Sequence, residues 1–250
     1  MPSYPITTGV QALEELGLPP SALEDAAQLK FLDTAMRPFL DIVLAAKSVE
    51  VTPVVFSTLT DPDTDEMFRR HLEQVLKWPI QPRYMVVLGQ HEGAGNRPRL
   101  SAERLLEMVP ADSGIEVISQ VAADQTPGQT NWFAEVICRP YGLSVIATSV
   151  HDSHGPRARA TLLRSLIKQD LHQQVAMLPW SRPWNPVAER LLTADFQDEP
   201  RTDLELALRE TGSIIRYTPT GSVATVAEMA SYTNWLFRES PLATVLAPYT

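Results

Sequence analysis

Two hydrophobic periods divide this chain. Up to about residue 80 the apolar positions recur every three or four residues, the spacing of helices that bury one face. Thr8 is placed to cap a short helix that Gly17 stops, and Ser21 with Glu24 makes a capping-box pattern ahead of Leu29, Leu32 and Met36. Arg37-Pro38 ends or kinks that helix, and Phe39, Ile42, Val43 and Ala46 continue the stripe. The run V-E-V-T-P-V-V-F (49–56) fits neither period and stays unassigned between helix and short strand. A further helix is predicted over Asp65–Lys77, with Phe68, Leu72, Val75 and Leu76 facing inward.

From Arg83 onward, short apolar runs alternate with helical stretches. Y-M-V-V-L (84–88), I-E-V-I-S (115–119), 143–148 and V-A-M-L-P (175–179) read as strands. Between them lie a helix opened by Ser101, a helix over Asn131–Tyr141 stopped by Gly142, and a helix from Pro156 to Gln169. Strands separated by helices of this size imply βαβ units and a parallel sheet. Three more helices are predicted at Pro186–Ala194, Asp203–Glu210 and Thr225–Arg238, the last with a T-x-x-E cap. The fold expectation is α/β: a Rossmann-like three-layer sandwich with a mainly parallel sheet, plus helical N- and C-terminal segments. Residues 1–80 are expected to form a helical segment packing on the core, and 81–250 the Rossmann-like domain with a helical C-terminal extension.

Composition narrows the partners. With 250 residues, 44% of them hydrophobic, the chain is long enough to bury a sizeable core. The formal charge of -9 argues against a nucleic-acid or anionic-membrane surface, which needs a basic field. The lone Cys138 excludes an intrachain disulfide and a multi-cysteine metal cluster. Neither a signal-peptide pattern nor an apolar run of ~20 residues is present, so a cytoplasmic protein is expected. A homo-oligomer is left open.

Candidate chemistry concentrates in three loops that follow predicted strands, since loops at the carboxyl ends of parallel strands converge on one crevice. Loop one carries Gly89, Gln90, His91, Glu92, Gly93, Gly95 and Asn96, where glycine backbone can approach a phosphate or ribose and Glu92 can accept from a ribose hydroxyl. Arg97 and Arg99 follow it, and serve either a phosphate or the surface. Loop two, with Ser119, Gln120, Thr130 and Asn131, is polar without being basic, and Thr130 or Asn131 is equally an ordinary helix cap. Loop three is the strongest. There Thr148 and Ser149 end a strand, His151, Asp152 and His154 follow, and Arg157 sits in the first turn of a helix, where the dipole disfavours a cation and an anionic partner is implied. His154 is expected as general acid or base, with Asp152 or His151 tuning it.

Competing readings are weaker. Asp61, Asp63 and Asp65 alternate like a calcium loop, but Glu66 and Leu72 stand where that loop needs Gly and Glu. His151, Asp152 and His154 offer three metal ligands in four residues, without a further ligand at a confirming distance in sequence. Trp180 and Trp184 either stack on a flat ligand or pack in the core. No G-x-S-x-G elbow supports a serine nucleophile, and Cys138 lies in a predicted helix far from any histidine in sequence.

At these residues the chain resembles the YdcF-like family. Val86, Val87, Leu88 and Gly89 match its V-V-L-G strand end, with Ser101 and Arg104 as equivalents of its serine and arginine. Thr148 and Ser149 match its T-S, and His154, Pro156, Arg157 and Ala158 match H-x-P-R-A. The family's S-G-G turn is absent, since Gln120 and Val121 follow Ser119. The resemblance implies a Rossmann-like fold and a nucleotide-type or S-adenosylmethionine-type ligand. The function expected is a cytosolic small-molecule enzyme, a transferase or hydrolase. A non-catalytic ligand-binding or regulatory protein and a metal-dependent hydrolase are the alternatives.

Overall fold

The computed structural model describes residues 8–56, 59–60, 64–88, 102–120, 125–180, 192–193 and 203–249. Its centre is a five-stranded, wholly parallel sheet made of β1 (Thr52–Phe56), β2 (Tyr84–Leu88), β3 (Glu116–Ser119), β4 (Val145–Ser149) and β5 (Ala176–Trp180). In space the order is β3-β2-β1-β4-β5. The chain therefore builds outward from β1 to one edge, returns, and builds to the other. Flanked by helices, this is the expected α/β Rossmann-like sandwich.

The run left unassigned at 49–56 proves to be the central strand. All five residues of β1 are buried, and so are those of β4 and β5. A strand covered on both faces reads as a continuous apolar run, which carries no period of two to reveal it. Pro53 also argues against a central strand, because it lacks a ladder donor. Its register partner is Ala147 in β4, while pairing with β2 begins one residue later at Val54 and Val86, so the missing N–H falls at the margin of that ladder. Among the described residues up to 80, three helices are followed by the central strand and then by a fourth helix. The V-V-L strand, β2, comes second in chain order.

Before β1 the chain forms α1 (Gly9–Leu16), α2 (Ser21–Ala35) and α3 (Phe39–Ala46). Thr8 caps α1 as expected, through a capping box completed by Gln11, and Gly17 takes a φ of 61° at its end. Ser21 does not cap α2: it is already the first helical residue, after Pro20. The helix after β1, α4, spans Thr64–Val75, and α5 (Ala102–Met108) follows β2. The helix after β3 begins five residues before its expected start. Its first part, α6 (Thr126–Trp132), continues through a π-helical stretch, Phe133–Cys138, and a last turn, Arg139–Tyr141, before Gly142 ends it at φ 63°. Pro127 near the start accounts for the earlier onset, because its fixed φ suits the first turn.

After β4, the most enclosed helix, α7 (Gly155–Lys168), has ten of its fourteen residues buried. Helix α8 (Asp203–Tyr217) runs seven residues past its expected end at Glu210, through Gly212, because Ile214 and Ile215 bury against the core. Helix α9 (Val226–Arg238) carries the expected Thr225–Glu228 capping box. Of the helix expected over Pro186–Ala194, the described part is instead a strand: Leu192–Thr193 pairs antiparallel with Leu59–Thr60. Such a pairing between distant segments leaves no local pattern.

Helices from both ends of the chain pack together. α1 lies on α8, and α2 touches α7, α8 and α9. A buried ion pair fixes this arrangement: Arg159 on α7 donates through Nε and, at 2.5 Å, through Nη2 to the two carboxylate oxygens of Asp33 on α2. A third donation, from Arg159 Nη1 to the Thr148 carbonyl at 3.3 Å, ties the pair to β4. The side chain passes so close to Gly155 that an added Cβ there would lie 2.2 Å from Arg159 Nη2.

Candidate functional site

In open α/β sheets the ligand crevice opens where the strand order reverses, outside the carboxyl ends. Here that point lies between β1 and β4, which are in register at Val55 and Ser149. Ser149 is the last residue of β4 and is wholly buried. The chain then turns through His151, Asp152, Ser153 and His154, with the amides of His154 and Gly155 both donating to the His151 carbonyl, at 3.0 and 2.8 Å. These bonds start α7, so loop three folds tightly against the end of the strand that precedes it.

Within the turn the two expected histidines have different surroundings. His151 is buried and its Nδ1 lies 2.7 Å from Ser153 Oγ. His154, 1% exposed, faces Glu210 Oε1 at 3.2 Å and Arg157 Nη2 at 3.2 Å, both at Nδ1. Its Nε2 is buried with no hydrogen-bond partner among the described residues. Burial holds the imidazole below its ordinary pKa of 6.5; the Glu210 carboxylate pulls the other way, and Arg157 and Arg159 push down with burial. His154 is consequently neutral at neutral pH.

The carboxylate that tunes His154 is therefore Glu210, from the middle of α8, and not Asp152. Asp152 turns away to Arg37, with 3.2 Å between charged atoms. Glu210 is 4% exposed, and burial alone would keep it protonated. Arg157 and His154 outweigh that cost and hold the carboxyl well below its usual range. Arg157 donates to both Glu210 oxygens, through Nε and, at 3.2 Å, through Nη2. The anionic partner implied for Arg157 is thus supplied inside the chain. A signal for Glu210 was present: Leu206, Glu210 and Ile214 lie four apart on one helical face, and the two apolar members are buried.

A second contact escaped the sequence reading altogether. His71, on α4, places Nε2 2.6 Å from Ser149 Oγ, and both residues are buried. The imidazole stands edge-on to Trp180 at 5.1 Å, and Trp180 packs in turn on Trp78 at 5.2 Å. Trp180 is accordingly a core residue at the strand ends. His71 sits three residues after Phe68 and four before Val75, on the face already recognised as inward. Attention to apolar residues alone hid it.

No protein-family profile, characterised protein or solved structure matches this chain. The site is accordingly read from its own geometry.

Of the other predicted site residues, Thr148 is wholly buried, its hydroxyl donating to the Leu178 carbonyl at 3.3 Å, which ties β4 to β5. Ser119 ends β3, opposite Val87 of β2, with two strands between it and β4. The next residue, Gln120, is 4% exposed and its Oε1 has no partner among the described residues. Thr130 and Asn131 meet Ser165 on α7, whose hydroxyl lies 2.9 Å from Thr130 Oγ1 and 2.8 Å from Asn131 Oδ1. Ser165 is ten residues into α7, about 15 Å along its axis from the start. The structure thus uses this pair to join α6 to α7 and does not bring it to the strand ends. Gly89, Gln90, His91, Glu92 and Asn96, with Arg97, Arg99 and Trp184, lie outside the described residues. Among the described residues no three His, Cys, Asp or Glu side chains are grouped to hold a metal, and no helix is long and apolar enough to cross a membrane. Cys138 is buried in the π-helical stretch, where burial pushes its thiol far up.

Proposed function

We propose that this protein is a small-molecule enzyme, a hydrolase or transferase of the YdcF-like type, that works by histidine acid–base chemistry at the carboxyl ends of β1 and β4. One observation carries the reading: Glu210 meets His154 Nδ1 at 3.2 Å, while the buried Nε2 has no partner among the described residues. Arg157 Nη2, which can only donate, also lies 3.2 Å from Nδ1, so the base form is the tautomer in which Nδ1–H is donated to the Glu210 carboxylate and Nε2 carries the lone pair. A neutral imidazole held this way takes a proton from a substrate or water and returns it. Arg157 keeps Glu210 ionised, and so acts on the base through the carboxylate.

The family part rests on the short motifs, of which His154, Pro156, Arg157 and Ala158 fall at the start of α7. A nucleotide-type or S-adenosylmethionine-type ligand suits this place, because the first turn of a helix offers amide donors to an anionic group. Arg157, already paired with Glu210, contributes less to holding such a group than its sequence position suggests.

The test is incubation of the full chain with a metabolite extract, followed by mass spectrometry of what disappears and what forms. Consumption of a small molecule by the wild type, lost in a folded His154→Gln variant, is the expected result. Equal consumption by the variant, or none by the wild type, overturns the proposal. Retention of a bound small molecule without consumption would instead favour a non-catalytic binding protein.

A further inference from the structure

We propose that Ser149 is a nucleophile activated by His71, and that the site takes a carboxylic ester or thioester. This rests on the enzymatic reading above and gives it a covalent step and a substrate class.

The geometry is that of a nucleophile and its base. Nε2 of His71 lies 2.6 Å from Ser149 Oγ, although the two are 78 residues apart. The helical hydroxyls of Thr161, Thr218, Thr233 and Ser240 donate to the carbonyl four residues back, and Ser153 Oγ meets the imidazole of His151 within its own turn. Ser149, at the end of a central strand, meets an imidazole brought from a distant helix. The ring plane of that imidazole is set by its edge-on contact with Trp180.

Charge decides between acyl and phosphoryl chemistry. A transferring phosphoryl group needs cations about its oxygens. Arg69 and Arg70, next to His71 in sequence, are exposed, and within the neighbouring turn and helices Arg37, Arg157 and Arg159 face Asp152, Glu210 and Asp33 respectively. The charge of these last three is balanced within the fold, which suits a neutral carbonyl better than a phosphate.

The step balances. Ser149 Oγ adds to the carbonyl carbon as its proton passes to His71 Nε2. The bond from carbon to the leaving alcohol or thiol breaks, and the proton goes with the leaving group. Water then attacks the acyl-serine, His71 takes its proton and returns it to Ser149 Oγ, and the carboxylic acid departs.

A fluorophosphonate reagent, which a serine nucleophile attacks with loss of fluoride, tests this on the full chain. Peptide mapping by mass spectrometry should find one adduct, on Ser149. Labelling should be absent in Ser149→Ala and about 100-fold slower in His71→Asn. Both residues are buried, so labelling reads access as well as reactivity. An unmodified Ser149, or wild-type labelling of His71→Asn, overturns the proposal, and the second variant keeps it testable if Ser149→Ala fails to fold. The two readings separate cleanly. If consumption of metabolites depends on His154 while Ser149 stays unlabelled, the nucleophile falls and the acid–base reading stands. If Ser149 is labelled but His154→Gln still consumes, the reverse holds.

Discussion

Glu210 Oε1 lies 3.2 Å from Nδ1 of His154, joining the middle of α8 to the turn that opens α7. The contact spans 56 residues of chain, which is why neighbouring Asp152 looked like the tuning group in sequence. The carboxylate stabilises the charged imidazole against the effects of burial and of the two arginines. Glu210→Gln should therefore lower the His154 pKa further and loosen the choice of tautomer. Titration of the imidazole by nitrogen-15 NMR reads both, and an unchanged titration would show that Glu210 is not the controlling group.

Acid should destabilise the fold in two stages. Both His154 and Glu210 are held below their ordinary values of 6.5 and 4.5, so the unfolded chain binds more protons than the folded one. The stability each contributes is complete above its ordinary value and is lost as pH falls toward the depressed one. The melting temperature should fall first below about pH 6.5 and more steeply below about 4.5. In His154→Gln the first fall should disappear and the second remain.

Breaking the Arg159–Asp33 pair from one side should be costly, because the remaining charge stays buried. Arg159→Met or Asp33→Asn is expected to lose about 3–5 kcal/mol in urea unfolding. Replacing both with apolar residues of similar size should recover much of that, since the desolvation of two ions is then no longer imposed.

Gly155→Ala tests the same pair through the backbone. The new methyl would meet Arg159 Nη2 at 2.2 Å, and the guanidinium cannot withdraw without releasing Asp33. A loss of about 1–3 kcal/mol is expected from this overpacking. It should largely vanish when the change is made in an Arg159→Met background, a double-mutant cycle measured by the same unfolding.

At the opposite end of the sheet, Tyr232 anchors α9 to the start of β5. Its hydroxyl accepts from the Met177 amide at 2.6 Å and donates to the Val175 carbonyl at 3.0 Å. Tyr232→Phe leaves two buried backbone groups unsatisfied and should cost about 1–3 kcal/mol. Metabolite consumption should be unaffected at temperatures where the variant is folded, because the contact is remote from the strand carboxyl ends.

The parallel sheet, its four later strands and most of its helices were legible because each carries a local signal. β2, β3, β4 and β5 are short apolar runs bounded by polar turns, and the ends of α1 and α9 are marked by capping boxes. The turn from Ser149 to Arg157 was equally legible, as titratable side chains crowded between an apolar run and a helix start. Local pattern determined that much because hydrogen bonds within a helix, and the burial of one strand, depend mainly on residues near in sequence.

What only the tertiary structure decided is which distant groups meet. The placement of β1 at the centre, Glu210 against His154, His71 against Ser149, and the transfer of Thr130 and Asn131 to a helix–helix contact all join residues tens of positions apart. Each pairing is enforced by burial: a carboxylate or imidazole removed from water must find a charge or hydrogen-bond partner wherever the packing of the whole chain brings one. The sequence by itself located the polar turn, and the folded chain supplied its partners.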